Sequence, residues 1–422
     1  MNYKERIADK MLAERLARKG AVLIEGPKWC GKTTTAKQIA RSVLDLGDGL
    51  VLEQSRQMMS VSPYTLLSGS TPRLIDEWQT IPSLWDIIRS EVDRRGLPGQ
   101  FIFTGSSVPP DIKSFTHSGT GRYVRLKMRP MSLFESKEST GQVSISNLFD
   151  NPDIGVINVS NAIEQVAYQI CRGGLPQAVS LSGDAALEQA FDYIEDISNV
   201  DIHRVDDVRR STLTTRHLLR SLARHQGTSV SYAAICADIK NNDKQSTTDE
   251  TVASYVDALN KIFVIEDMEA WNPNLRSSTA IRTSSTRYFI DPSFATAALG
   301  LSPKDLINDL KTMGFMFETM AVRDLRVYAD ALNGKVYHYR DGNGLECDSV
   351  IHLRNGKYGL VEIKLGGVDA IELAANNLKK LSDKIDTDRM YAPSFMMVLI
   401  AVGPYAYRRP DGVYVVPINA LK

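Results

Sequence analysis

The chain has 422 residues, long enough for two or three domains at roughly 150 residues each, and its 50 lysines and arginines balance 50 aspartates and glutamates to a formal charge of zero. No global field draws it toward nucleic acid or a membrane surface, so any basic face must be local. Four scattered cysteines without a CxxC pair argue against a disulfide framework and a zinc ribbon, and the longest apolar run, residues 395–402, falls far short of the ~20 residues of a membrane helix, so a soluble, cytoplasmic protein is expected.

Residues 1–20 predict a charged amphipathic helix without the apolar core of a signal peptide. Residues 21–134 alternate short apolar runs with helical stretches, from AVLIEG through TTTAKQIARSVL, RLIDEW and SLWDIIRSEVDRR to FIFTGSS. That alternation predicts an α/β domain, a parallel sheet flanked by crossover helices, over residues 1–140. Residues 142–160 are polar and rich in breakers, and read as a loose exit from it. A helical region is expected over 160–300, with three helices between residues 214 and 262 and then two strand-like runs, FVIEDMEAW and RYFID. Three helices followed by a hairpin is the winged-helix order. A helix over 315–330 and five strand runs (KVYHYR, CDSVIHL, YGLVEIK, MMVLIAV, GVYVVPI) then predict a mixed α/β domain over 305–422.

The first chemistry-bearing motif is Gly26-Pro27-Lys28-Trp29-Cys30-Gly31-Lys32-Thr33, which fits GxxxxGK[ST] at every fixed position. Glycines allow the backbone to turn its N–H groups onto phosphates, Lys32 reaches the outer phosphates, and Thr33 offers a hydroxyl to Mg²⁺. An apolar strand precedes the loop and a helix over 34–43 is expected to follow, so a helix N-terminus that includes Thr34 also faces the anion. About forty residues on, Leu74-Ile75-Asp76-Glu77 runs a strand into two acids, one suited to holding Mg²⁺ (Asp76) and one to polarising the attacking water (Glu77). Thr104, Ser106 and Ser107 end a further strand in small polar groups fit to sense the outer phosphate. ATP and Mg²⁺ are the expected cofactors.

The P-loop, LIDEWQ, FIFTGSS, the stretch SGTGRYVRLKMRPMSLFE and Gly173-Gly174-Leu175-Pro176 together resemble a family of bacterial and archaeal AAA+ ATPases that carry a C-terminal domain of unknown function with a restriction-endonuclease-like fold. The resemblance covers nearly the whole chain. It implies that Arg122 touches the γ-phosphate, in cis or from a neighbouring subunit.

Near the C-terminal end, Glu346-Cys347-Asp348 followed by Leu360-Val361-Glu362-Ile363-Lys364 is similar to the D…ExK core of PD-(D/E)XK nucleases, and Glu318 matches the additional acid of that family. In that chemistry carboxylates hold Mg²⁺ and a lysine steadies the attacking hydroxide or the charge developing on phosphate. The strand pattern adds a geometric expectation. A three-residue loop, Arg354-Asn355-Gly356, pairs Leu353 with Lys357 and so sets Asp348 opposite Glu362, with Lys364 on the same face. A two-residue turn would send the two acids to opposite faces.

The winged-helix segment is discordant. Its third helix opens Thr248-Asp249-Glu250 and carries Asp257, where a groove-reading helix needs lysine or arginine, and only Lys240, Lys244 and Arg276 flank it. Two function classes follow: an ATP-hydrolysing switch coupled to a nuclease-like domain that acts on nucleic acid, and an ATP-dependent interaction protein whose C-terminal domain binds a protein partner or a second copy.

Overall fold

A computed structural model of the protein describes residues 3–106, 120–150, 153–206, 208–240, 247–273 and 284–422. Two compact units divide it. The first comprises Met1–Pro130, Val200–Arg209 and Asp257–Phe263; the second comprises Met131–Asn199, Arg210–Val256 and Val264–Lys422.

The first unit is built on five parallel strands, β1 (Ala21–Glu25), β2 (Ser42–Asp45), β3 (Arg73–Asp76), β4 (Phe101–Gly105) and β5 (Tyr123–Lys127), in the order β2-β3-β4-β1-β5. β1 and β4 are buried along nearly their whole length, the continuous apolar reading expected of strands covered on both faces. Helix Leu84–Arg95 shows how its crossovers are set: Leu84, Trp85, Ile88 and Val92 fall on one face and join Ile75, Phe101 and Phe103 in the core, and Gly96 closes the helix at φ 63°. The helix expected over 34–43 runs only from Lys32 to Ile39. Ala40 turns extended, and Val43 and Leu44 pair with β3 instead, because the sheet edge satisfies their backbone and suits a β-branched residue.

In the second unit, helices Ile163–Arg172, Pro176–Ser180 and Asp184–Asn199 precede helices Thr212–Arg224, Tyr232–Lys240 and Asp249–Lys261, the last shared between the two units. An antiparallel ribbon follows, β7 (Ile265–Met268) with β8 (Thr286–Phe289), so the three-helix-then-ribbon order is present. Lys244 and Arg276 lie outside the described residues. Helices Pro292–Leu299, Pro303–Asn308 and Leu310–Ala331 lead into a seven-stranded mixed sheet of β6 (Ile157–Asn158), β9 (Gly334–Arg340), β10 (Glu346–Leu353), β11 (Tyr358–Lys364), β12 (Phe395–Ile400), β13 (Tyr405–Arg408) and β14 (Tyr414–Pro417). Its order is β6-β13-β14-β12-β11-β10-β9. β11 and β12 are parallel and joined by helix Val368–Asp383, as a crossover requires.

Residues 142–160 are not a loose exit. β6 pairs with β13, and the Val143 amide donates to the Ala420 carbonyl, so this stretch is stitched into the C-terminal sheet. Gly173 and Gly174 belong to a buried clasp. The Arg323 guanidinium, 2 % exposed, lies 2.9 Å from Asp291 and 2.8 Å from Asp324. Asp291 accepts the Gly174 amide and Asp324 accepts the Leu133 amide, while a Cβ at Gly173 would stand 2.2 Å from Asp291. Arg323 offsets one of the two carboxylate charges, backbone amides donate to both acids, and burial pushes Asp324 up to about 6, which together let the group be held inside.

Candidate functional site

The P-loop leaves the C-terminal end of β1, a strand flanked by β4 and β5 although the chain visits β2 and β3 first. That is a topological switch point, where open parallel sheets take their ligands. Two glycines shape the loop. A Cβ at Gly26 would meet the Met128 carbonyl oxygen at 2.1 Å, and Gly31 at φ 98° turns the chain into helix Lys32–Ile39. Trp29 adopts φ 61° without being glycine, a conformation that the rest of the loop must hold. Lys32, 5 % exposed, donates to the Gly26 carbonyl at 3.0 Å and the Pro27 carbonyl at 2.7 Å.

Register brings the acid to this loop. Asp76 pairs with Thr104 across β3 and β4, and Thr104 pairs with Ile24 across β4 and β1. The Thr33 hydroxyl donates to Asp76 Oδ1 at 2.8 Å, and the Thr104 hydroxyl donates to the same oxygen. Thr33 and Asp76 are thus a pair of hard oxygen donors already in contact, which fits Mg²⁺. Glu77, at φ 54°, accepts from Gln79 Nε2 at 2.5 Å and from Ser106 at 3.4 Å. Ser106 is therefore directed at Glu77, and Ser107 lies outside the described residues.

Two parts of this site went unseen in sequence. Arg6, 6 % exposed, donates to the carbonyls of Cys30 (2.7 Å) and Arg129 (2.8 Å), bracing the P-loop from the N-terminal segment. Asp201 pairs with Lys28, 173 residues away in sequence. No local pattern marks either residue; only the fold brings them to the loop.

Arg122 stands away from the P-loop of its own chain. β5 runs parallel to β1 with Ala21 opposite Tyr123 and Glu25 opposite Lys127, so Arg122 precedes the strand at the edge of the sheet opposite the P-loop. Six residue steps of ~3.3 Å separate the two levels, roughly 20 Å. Its guanidinium donates to Asp93 at 2.8 Å, beside a shallow cavity of about 440 Å³ that Lys19 and Leu97 also line. It does not reach the γ-phosphate of its own chain.

A second group of charged residues lies in the second unit. Leu353 N donates to Lys357 O, Gly356 takes φ 87°, and Ser349 stands opposite Val361. The three-residue loop is formed, and the register runs as far as Ser349 opposite Val361, the neighbours of Asp348 and Glu362. Asp348 Oδ2 accepts from Ile363 N at 2.7 Å and Lys364 Nζ at 3.0 Å, and Lys364 Nζ also lies 2.7 Å from Glu362 Oε2. Helix Leu310–Ala331 brings Glu318 into the same field, where Tyr288 donates to it at 2.7 Å. Burial first, then the Asp348 charge, pushes both Glu318 and Glu362 up to about 8. Burial likewise pushes the Cys347 thiol well up, so it is inert packing. Among the described residues no group of three or more His, Cys, Asp or Glu side chains is set to cage a metal ion; two carboxylates bridged by a lysine are what the geometry provides.

Comparison with known proteins divides the chain into three parts. The AAA domain family matches residues 18–137, a domain of unknown function (DUF8612) residues 163–305, and another (DUF4143) residues 313–421. Uncharacterized proteins Mb2031c of Mycobacterium bovis and Rv2008c of Mycobacterium tuberculosis are each 24 % identical over 366 residues, covering 86 % of this chain and 74 % of the relative. Among solved structures, the Walker-type ATPase PABY2304 of Pyrococcus abyssi is 14 % identical at a TM-score of 0.44, covering 70 % of this chain and 96 % of its own. Cdc6p of Pyrobaculum aerophilum is 14 % identical at 0.23, covering 74 % and 93 %. Neither likeness carries an inference at that distance. The AAA domain match over residues 18–137 agrees with the strand–loop–helix geometry of the P-loop in the N-terminal part of the chain.

Proposed function

We propose that the protein is a Mg²⁺-dependent ATP-hydrolysing switch coupled to a carboxylate site in the second unit that acts on nucleic acid. The observation that carries the ATPase half is the contact of Thr33 and Thr104 with one oxygen of Asp76, directly beside the P-loop. Gly26 to Thr34 enclose the phosphates, Lys32 neutralises their charge, and Thr33 with Asp76 holds Mg²⁺. When bound, that ion offsets charge building on the transferred phosphoryl group. Glu77 orients water, with Gln79 and Ser106 fixing its carboxylate.

Asp348 and Glu362 on one face, with Lys364 between them, support phosphodiester hydrolysis with a divalent ion. A second reading rests on the same residues: Lys364 bridges both acids, and Glu318 is engaged by Tyr288, an arrangement equally suited to a domain that docks a protein partner and cuts nothing. Incubation of the purified protein with DNA and RNA, with ATP and Mg²⁺ or Mn²⁺, separates them. Cleavage that disappears in Glu362→Gln supports the first reading, and intact nucleic acid under every condition supports the second.

A further inference from the structure

The Lys28–Asp201 pair has no place in the hydrolytic scheme. Lys28 is the third residue of the P-loop, and its ammonium lies 2.5 Å from Asp201 Oδ1. The Asp201 side chain is 8 % exposed and that of Lys28 is 44 % exposed. Asp201 opens the short 3-10 turn Asp201–Arg204. Val200–Arg209 belongs to the first unit, yet the chain on both sides of it, helix Asp184–Asn199 and helix Thr212–Arg224, belongs to the second. The same ammonium therefore faces two claims. It binds a nearly buried carboxylate, and it stands four residues from Lys32 on the loop that encloses a polyphosphate carrying several negative charges, well within a Debye length of ~8–10 Å.

We propose that Lys28–Asp201 is a nucleotide-sensitive latch, in which the phosphates of bound ATP compete for Lys28 and loosen the Asp201 turn. The proposal rests on the P-loop binding ATP. Linkage makes the effect reciprocal: whatever ATP takes from the latch, the latch takes from ATP affinity. Asp201 is thus a positioning residue that acts through Lys28, and the turn it anchors lies in a piece of the first unit whose chain enters from the second and returns to it.

The test uses the full chain. ATP affinity with Mg²⁺ is measured by equilibrium dialysis, and backbone hydrogen exchange is followed over residues 201–206, with helix Leu84–Arg95 as internal reference. In the wild type, a non-hydrolysable ATP analogue should speed exchange at 201–206 severalfold and leave the reference unchanged. Asp201→Asn should bind ATP about two- to five-fold more tightly, the range of a partly exposed ion pair, and should show fast exchange at 201–206 without nucleotide. A purely structural aspartate would give the opposite sign, weaker binding. Lys28→Gln changes a half-exposed side chain and stands in should Asp201→Asn misfold; it should loosen the turn while weakening ATP binding. Unchanged or weaker ATP binding by folded Asp201→Asn, or exchange at 201–206 indifferent to the analogue in a wild type that binds it, overturns the latch alone. A wild type that binds no ATP overturns the nucleotide reading and the latch with it.

Discussion

Thr33, Asp76 and Thr104 come from a helix start, a strand end and a neighbouring strand, and one oxygen of Asp76 accepts from both hydroxyls. Lys32 and Glu77 do separable work beside them. Lys32→Ala should abolish turnover and weaken ATP binding, while Glu77→Gln should keep binding and lose turnover by on the order of 10²-fold, because one residue offsets charge and the other acts on water. Parallel dialysis and phosphate-release assays check this, and equal turnover in wild type and Glu77→Gln would contradict it. The acids of the second unit carry a pH signature. Glu318 and Glu362 are raised from 4.5 to about 8, so the folded protein holds protons that the unfolded chain has released. Their contribution to stability is fully present below pH 4.5 and is lost as pH rises toward 8. Glu318→Gln, which keeps shape and polarity without the charge, should therefore raise the thermal midpoint at pH 8 to 9 by about 2–4 °C or more and change it little at pH 5. A midpoint difference independent of pH would refute that assignment.

At the scale of elements, the β10–β11 hairpin was legible in sequence because its alternation and its glycine leave one register that puts both acids on one face. Gly356 at φ 87° is what the loop requires, so Gly356→Ala should cost about 1 kcal/mol or more by urea unfolding. A neutral result would remove the reason for that register. β2 and β5 were harder to see. Ser42–Asp45 is only four residues and continues a helical pattern, and Tyr123–Lys127 interleaves Arg125 and Lys127 with apolar residues, so neither carries the continuous apolar run of β1. Residues 142–160 look like a linker for a related reason. Their partners are β13 and the last residues of the chain, more than two hundred positions on, and no local pattern reports a pairing of that separation. Glycines 173 and 174 were visible as a motif, but their reason, the approach of Asp291 and of the Met131 carbonyl, exists only after folding.

Across the whole molecule, the position of Arg122 bears on assembly. Held at the sheet edge opposite the P-loop, it can serve only a site on another copy. If it does, ATP turnover per chain should rise with protein concentration from nanomolar to micromolar and Arg122→Ala should flatten that rise; a wild-type rate already flat across the range, with a monomer by light scattering, would leave Arg122 as the surface partner of Asp93. The first unit also has a consequence in time. Two of its pieces, Val200–Arg209 and Asp257–Phe263, are encoded long after Pro130. At ~5–20 residues per second, the ribosome needs roughly 7 to 27 seconds beyond Pro130 to supply the last of them. During that interval the nascent sheet already carries its complete P-loop while Asp201 has yet to be made or to dock. The newborn chain thus passes through a period in which Lys28 has only phosphate to answer to, and ATP present in the cell can act as a folding ligand before it becomes a substrate.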